Sequence, residues 1–385
     1  MKRGFRIQSL AEGLDRLGLF APLALGLMLF NGLNPPGIFF ATGLLLLFSA
    51  LTYGVSVPVA PMRIIAAYAI ATVVPTDRVL AAGMLAAVAL IAIGAAGLFD
   101  KVRRWIHPSV IRGAEAAVGI LLIPRALDLI AGTTVVQTLC HSAEPHLRMQ
   151  FLGGIPLGVL VGVLGVAAIL LLLKSRRWPA GPVVLAVGLV LGLILGTHDG
   201  LEKLRPGLHW PRWLPYGIPA AADFGLALVM LTLPQVPDTL DETARLLHQG
   251  GKQPRRMTPA RLCIAAGLAN LVSFSVGGPP LGYGDRLCAE RRWPGVALGL
   301  AFTALALTFG FHLLTLIHLI PLAIVGALLL VAGARMVLAL ADLGDFKEAL
   351  AAAVVCAVTW GWNLALGVAG GLLLTWLLRL GRSKG

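Results

Sequence analysis

The stretch Thr52-Tyr-Gly-Val-Ser-Val-Pro-Val-Ala-Pro-Met-Arg-Ile-Ile-Ala-Ala-Tyr68 decides the fold. It lies in a hydrophobic region, yet it makes a poor continuous helix. Val55 to Val59 alternates β-branched residues, which suits an extended segment. Pro58 and Pro61 remove two backbone donors, and each biases the residue before it away from helix. From Pro61 the pattern turns helical, with proline in the first turn, where its missing N–H costs nothing. Between Pro61 and Pro75 there is room for about 14 residues, or about 20 Å of helix. That is roughly two thirds of a bilayer core of about 30 Å. The stretch therefore predicts a short strand leading into a half-helix that starts near a membrane midplane. Such an N-terminus carries unpaired N–H groups and a positive dipole end, and Arg63 adds a full charge in its first turn. The combination attracts an anion.

Outward from this stretch, the 385 residues are 58% hydrophobic and 13% charged. A soluble chain would carry about twice that charge fraction. Apolar runs of spanning length recur from end to end, which predicts an all-α polytopic membrane protein rather than an outer-membrane barrel. The net charge of +13 would suit nucleic acid, but the basic residues cluster between apolar runs, so nucleic acid is not an expected partner. The four cysteines, Cys140, Cys263, Cys288 and Cys356, have neither CxxC nor metal spacing, and three lie in apolar runs as small buried thiols. No metal or other cofactor is expected. Neither a Ser/His/Asp arrangement nor a nucleotide loop stands out, so an enzyme is not expected. Gly153, Gly154, Gly158, Gly162 and Gly165 read as a helix-packing surface. Lys2, Arg3 and Arg6 precede an apolar run that contains Pro22 and lacks a small-residue cleavage site, which predicts a retained first span.

Fourteen segments are expected, at 17–31, 37–54, 61–75, 79–98, 108–130, 153–173, 179–196, 223–247, 259–276, 280–290, 294–317, 320–341, 346–361 and 363–380. The third and tenth are short. Pro22 should bend segment one, and Pro234 and Pro237 segment eight. Lysine and arginine sort to alternate loops: Lys101 to Arg104, Lys174 to Arg177, Lys252 to Arg256, Arg291 and Arg292, Lys347, and Arg379 to Lys384. The positive-inside rule then puts both termini in the cytoplasm, with residues 1–16 a cytoplasmic segment. The loop 197–222, with Lys203, Arg205 and Arg212 partly balanced by Asp199 and Glu202, is the exception.

The two halves match. Pro108 to Gly113 and Pro321 to Gly326 both read Pro-x-x-x-x-Gly ahead of an apolar helix, in segments five and twelve. Val57-Pro-Val-Ala-Pro61 before segment three matches Val276-Gly-Gly-Pro-Pro280 before segment ten. Seven segments separate each pair, and an odd offset inverts the second copy. The expectation is a 7+7 inverted repeat with short strands before half-helices in segments 3 and 10, an arrangement typical of secondary transporters with the site at the repeat interface. Two half-helix tips would then face each other. One is Ala60-Pro61-Met62-Arg63. The other is Pro280-Leu281-Gly282-Tyr283-Gly284, whose glycines permit a close backbone approach. Arg63 is either a direct ligand or the partner of an acid on another segment. In segment eight, Gln235, Asp238 and Glu242 share a helix face at i, i+3 and i+7, and Asp241 is placed to pair with Arg245. Gln235 and Asp238 lie deeper than Asp241 and Glu242, which read as the cytoplasmic end. A carboxylate beside an anion site suits proton coupling, which makes Asp238, Asp285 and Glu115 the candidates. Glu115 either faces the cleft or pairs with Arg112, and Asp285 with Arg286 could equally pair near the cytoplasmic side.

Several of these residues resemble the molybdate transporter family, relatives of the sulfate permeases. Gly13-Leu-Asp-Arg-Leu-Gly-Leu-Phe-Ala-Pro-Leu-Ala-Leu-Gly26, Gly32-Leu-Asn-Pro35 and Thr42-Gly43 resemble its opening. Val57-Pro-Val-Ala-Pro-Met-Arg63 is similar to its first signature, usually Pro-x-Gln-Pro-Met-Lys, with Ala60 where glutamine is usual and Arg63 where lysine is. Val110-Ile-Arg-Gly113 and Leu233-Pro-Gln-Val-Pro237 also match family patterns. The second signature departs: Gly282-Tyr283 replaces a Cys-His pair, and Asp285-Arg286 enters where small residues are usual. The resemblance implies the fourteen-span fold shared with sulfate permeases and nucleobase symporters. In that fold a core domain, here 17–98 and 223–317, moves against a gate domain, here 108–196 and 320–381, which often mediates dimerisation.

The expectation is a secondary active importer of a tetrahedral oxyanion, molybdate or sulfate, coupled to protons and working by alternating access. It would sit in a bacterial-type inner membrane, with membrane lipid and a second copy of the chain as partners. The competing readings are a same-fold symporter of a nucleobase or small carboxylate, with Asp238 and Tyr283 bonding a planar ring, and a non-transporting scaffold or sensor.

Overall fold

The computed structural model describes residues 20–105, 107–134, 137, 142–144, 147–148, 151–152, 154–173, 175, 178–195, 206–248, 254, 256–284, 287 and 291–380. Expectations that fall on Lys2 to Arg6, Gly13 to Gly18, Asp199 to Arg205, Asp285, Arg286 and Cys288 lie outside the described residues.

In chain order the first half gives α1 (Phe20–Asn31), α2 (Pro35–Tyr53), β1 (Val59–Pro61), α3 (Arg63–Thr72), α4 (Thr76–Ala95), α5 (Phe99–Trp105) and α6 (Pro108–Ala131). Two small hairpins follow, β2 (Ser142–Glu144) with β3 (Leu147–Arg148) and β4 (Phe151–Leu152) with β5 (Ile155–Pro156), then α7 (Leu157–Leu172) and α8 (Ala180–Leu195). The second half gives α9 (Ala221–Ala227), a π-helical turn at Leu228–Thr232, α10 (Leu233–His248), α11 (Pro259–Ser275), β6 (Leu281–Tyr283), α12 (Trp293–Phe309), α13 (Leu313–His318), α14 (Leu322–Leu338), α15 (Phe346–Gly361) and α16 (Leu364–Leu380). Among the described residues four helical stretches are long and apolar enough to cross a bilayer: Pro35–Tyr53, Thr76–Ala95, Trp293–His318 and Leu322–Asp342. Shorter apolar helices accompany them, α1, α3, α7 and α11 among these.

The interruption at residues 54–62 is real, but its register differs from expectation. The strand is Val59–Pro61 rather than Val55–Val59, and the helix starts at Arg63 with Met62 as N-cap, not at Pro61. The reason is the partner. β1 pairs antiparallel with β6, Val59 opposite Tyr283, Ala60 opposite Gly282 and Pro61 opposite Leu281. The ladder runs one step further, because the Met62 amide donates to the Pro280 carbonyl at 2.8 Å. Proline is tolerated at a strand end, where no donor is needed, as readily as in a first helical turn. The same pairing corrects the second tip. Residues 281–283 are a strand, so no half-helix begins at Pro280, and most of 285–290 lies outside the described residues.

A short helix buried in a membrane protein must have both ends satisfied, since no water reaches them. At the C-terminal end of α3, Asn31 Nδ2 donates to the carbonyls of Ala69 at 2.9 Å and Val74 at 2.7 Å, and Arg125 Nε donates to that of Ala71 at 3.0 Å. Val73 closes the helix in the left-handed region at φ 51°, an unfavourable place for a β-branched residue that the surrounding contacts must hold. β6 is held on its second edge by Asn270 of α11. Asn270 Nδ2 donates to the Leu281 carbonyl at 2.8 Å, and the Leu281 amide donates to Asn270 Oδ1 at 2.6 Å.

Segment eight is irregular where Pro234 and Pro237 predicted it. The two prolines remove donors one turn apart, and the chain takes a π turn at Leu228–Thr232 just before them. The largest helix contacts pair α6 with α14, α2 with α12, α4 with α11, and α15 with α16 and α6. Two of these crossings depend on missing side chains. A Cβ on Gly119 would stand 2.6 Å from the Gly333 carbonyl oxygen, and one on Gly43 would stand 2.9 Å from that of Gly299. Close backbone approach through small residues is how apolar helices pack in lipid.

Candidate functional site

Three elements converge on Arg63. It is the first residue of α3, so its side chain leaves from the helix tip, with the β1–β6 ladder immediately before it. α6 brings Glu115, and α10 brings Asp238 and Glu242, which lie four residues apart and hence on one face. Arg63 Nη2 is 2.7 Å from Glu115 Oε1, 2.8 Å from Glu242 Oε1 and 3.3 Å from Asp238 Oδ1. The Arg63 side chain is 18% exposed, while those of Glu115 and Asp238 are 1% exposed. Glu115 also accepts from Arg112 through its other oxygen, Oε2, at 2.6 Å, and Arg112 reaches Asp342 at 3.1 Å. The buried centre thus holds two guanidiniums against Glu115, Asp238 and Glu242, two positive charges facing three negative ones.

Of the two alternatives for Arg63, pairing with acids is the one seen. Of the two for Glu115, the pairing with Arg112 is the one seen, and its other oxygen contacts Arg63. Asp241 pairs with Arg245, as the i, i+4 spacing predicted, and stands 4.0 Å from Arg103 of α5. Glu242 belongs to the centre rather than to a solvent-facing helix end, since it is only 7% exposed. Sequence spacing gave its face but not its depth.

Gln235 takes a local role. Its Oε1 accepts the Ile65 amide at 3.0 Å, capping the first turn of α3, while its Nε2 donates to Asp238 Oδ2 at 3.2 Å and Thr239 Oγ1 at 3.1 Å. It thereby fixes the half-helix tip and the Asp238 carboxylate in one step. The second expected tip binds differently from expectation. The Leu281 amide is taken by Asn270, and the Gly284 amide donates to the Pro58 carbonyl at 3.0 Å. Pro280 accepts from Met62. Tyr283 is buried, with its hydroxyl accepting from Ser49 of α2 at 3.1 Å, so the ring belongs to the packed interior. Met62 is buried as well. Ala60 and Gly282 stand opposite each other on the ladder as small residues, with Ala60 half-buried, next to Arg63. Asp285 lies outside the described residues.

A cavity of about 470 Å³ opens beside this centre, lined among others by Arg103, Arg104, His107, Ile111, Pro237 and Asp241. Ile111 is one helical turn from Glu115 on α6, and Asp241 is one turn from Asp238 on α10. The cavity is therefore a mouth one helical turn away from the Arg63 centre on both helices, with Arg103, Arg104, Asp100 and Asp241 as its charged lining. Sequence reasoning missed Asn31, Asn270 and Asp342, whose roles depend on partners far away in the chain.

Comparison with solved structures defines the class first. The transmembrane domain of the cyanobacterium bicarbonate transporter BicA aligns with a TM-score of 0.65 at 17% identity, covering 97% of this chain and 98% of that one. The murine Slc26a9 anion transporter in its inward-facing state aligns with a TM-score of 0.70 at 15% identity, covering 99% of this chain and 69% of that one. The chain is a helical multi-pass membrane protein with the fold of these anion transporters. Sequence comparison narrows this further. Residues 9–122 match the family described as "Molybdate transporter of MFS superfamily". Molybdate transporter 2 of Arabidopsis thaliana is 24% identical, with 96% of this chain and 87% of that protein aligned, and molybdate transporter 1 of the same plant is 25% identical over 96% and 88%. The resemblance to the molybdate transporter family therefore holds as a similarity, by the family model over residues 9–122 and by these two named transporters along almost the whole chain.

Proposed function

We propose that the protein is a secondary active importer of a tetrahedral oxyanion, molybdate or sulfate, coupled to protons and working by alternating access. The observation that carries this reading is Arg63 at the tip of a membrane-buried half-helix, ringed by Glu115, Asp238 and Glu242. An arginine at a positive helix end is a site for an oxyanion, which it can grip with two parallel hydrogen bonds. With all three acids ionised the centre repels a dianion. Neutralising one of them lets the guanidinium turn to the substrate, so anion and proton bind together. Asp238 is the proton carrier in this scheme. It has the longest contact to Arg63, 3.3 Å, and is buried, so its charge is the least compensated of the three. Ala60, Pro61, Met62, Gly282 and Gly284 form the backbone wall beside the anion, with Gln235 holding the tip.

The fourteen-span, 7+7 inverted arrangement belongs to the same proposal. The helix contacts support it, since the most extensive of them map onto one another under an offset of seven segments. Segment five meets twelve and three meets ten, while the pairing of two with eleven becomes that of nine with four. The core would be 17–98 and 223–317 and the gate 108–196 and 320–381, in a bacterial-type inner membrane with both termini cytoplasmic, as a homodimer. The nucleobase alternative is weakened, because Tyr283 bonds Ser49 in the interior.

Uptake of labelled molybdate and sulfate into proteoliposomes tests the reading. An inward proton gradient should accelerate uptake, Arg63→Ala should abolish it, and Asp238→Asn should remove its dependence on pH. Because protonation frees Arg63, uptake rises as the pH on the loading side falls. Transport of neither ion, with uracil carried instead, overturns the substrate assignment.

A further inference from the structure

A second cavity touches the first at His107, and none of the residues of the Arg63 centre lines it. α5 is a seven-residue helix between α4 and α6 that buries Phe99 and turns Lys101, Arg103, Arg104 and Trp105 outward. Between α5 and the C-terminal part of α16 runs a groove of about 600 Å³, lined by Leu98, Val102, Trp105, Leu372 and Trp376, with Lys101, His107 and Thr375 as its polar part. That volume falls within the range of ordinary ligand pockets. The two tryptophans are 76% and 58% exposed, respectively.

The charges decide what fits. Arg103 faces Asp241 and Arg104 bonds the Asp100 carbonyl, while Lys101 enters none of the ion pairs formed among the described residues. Four outward charges stand on this short helix, three positive and one, Asp100, negative. An apolar floor between two exposed tryptophans, edged by an ammonium on a flexible stem, is the chemistry of a bilayer interface. A peptide would leave backbone groups unpaired against such a floor, whereas a lipid chain has none.

We propose that this groove is a binding site for an anionic phospholipid, with an acyl chain on the floor between Trp105 and Trp376 and the phosphate against Lys101. The site stands on the fold and the membrane setting alone, whatever the transported solute. Because α5 is the covalent link between α4 and α6, the lipid would tie that link to α16.

The test is native mass spectrometry of the full chain in uncharged detergent with equimolar phosphatidylglycerol and phosphatidylcholine, followed by thermal unfolding with each. Preferential retention of phosphatidylglycerol and a raised melting temperature are expected. Lys101→Gln should reduce the preference several-fold toward parity, and Trp376→Ala should weaken retention of both lipids. These side chains are exposed, so the variants should fold, and an unchanged melting temperature without lipid checks that. Glycerol phosphate alone should give no shift. Equal retention of the two lipids, an unaltered preference in Lys101→Gln, or a shift from glycerol phosphate overturns the proposal.

Discussion

Arg63 touches three carboxylates from two helices, so its removal is felt well beyond its own side chain. Arg63→Ala leaves buried acids uncompensated, and breaking a buried pair from one side costs about 3–5 kcal/mol. A marked fall in thermal stability is therefore expected for that variant, measured by fluorescence-detected unfolding. Adding Asp238→Asn should recover part of it, because one of the stranded charges is gone. Gly282 gives a prediction of the opposite kind. A Cβ there would meet the nearest atom, Met62 Cγ, at 3.5 Å, an ordinary contact. Gly282→Ala should fold normally yet narrow the wall beside Arg63, raising the molybdate concentration for half-maximal uptake. An unaltered value would mean that the anion does not lie against the Ala60–Gly282 face. At Gly284 the added atom would stand 2.9 Å from Pro58 Cγ, and there the fold itself should suffer.

At the scale of elements, the two-stranded ladder is the joint on which both short segments hang, and Asn270 is its clamp. The side chain satisfies both the amide and the carbonyl of Leu281. Asn270→Leu would strand two buried polar groups at about 1–3 kcal/mol each. The expected result is a large loss of folded yield, whereas a variant of normal stability would show that β6 is held by β1 alone. The interruptions were legible where prolines come in close pairs: Pro58 with Pro61 and Pro234 with Pro237 mark a break and an irregular stretch, whereas the lone Pro124 leaves α6 continuous. The register was not legible. Pro61 satisfies the local rule for a first helical turn and for a strand end alike, and only β6, more than two hundred residues away, decides between them. The shared face of Gln235, Asp238 and Glu242 followed from spacing, but the depth of Glu242 did not, because periodicity fixes direction and says nothing of what lies opposite. Asn270 gave no signal, since one amide in an apolar helix looks the same whether it pairs with a strand or with its own preceding turn.

At the scale of the molecule, the Arg63 centre joins parts that the proposed mechanism must separate. Arg63, Asp238 and Glu242 sit on segments assigned to the core, and Glu115 and Arg112 on a segment assigned to the gate. On the proposed division, the 2.7 Å pair between Arg63 and Glu115 would be a latch across the boundary, with Arg112 and Asp342 paired behind it on the gate side. If the core slides against the gate, this pair must open in each cycle, and the proton that frees Arg63 for its anion loosens the latch as well. Substrate binding and movement would then be linked through one guanidinium. Holding the boundary shut should therefore stop turnover without removing the binding groups. Cysteines placed at Pro237 and Ile111, which both line the mouth from different helices, allow this once Cys140, Cys263, Cys288 and Cys356 have been replaced. A short bifunctional thiol reagent should abolish uptake in the double variant, a monofunctional reagent of similar size should do so far less, and reduction of a cleavable linker should restore the rate. Full uptake with the link in place would mean that α6 and α10 stay together through the cycle, and the core–gate division drawn here would have to be redrawn with both helices on the same side.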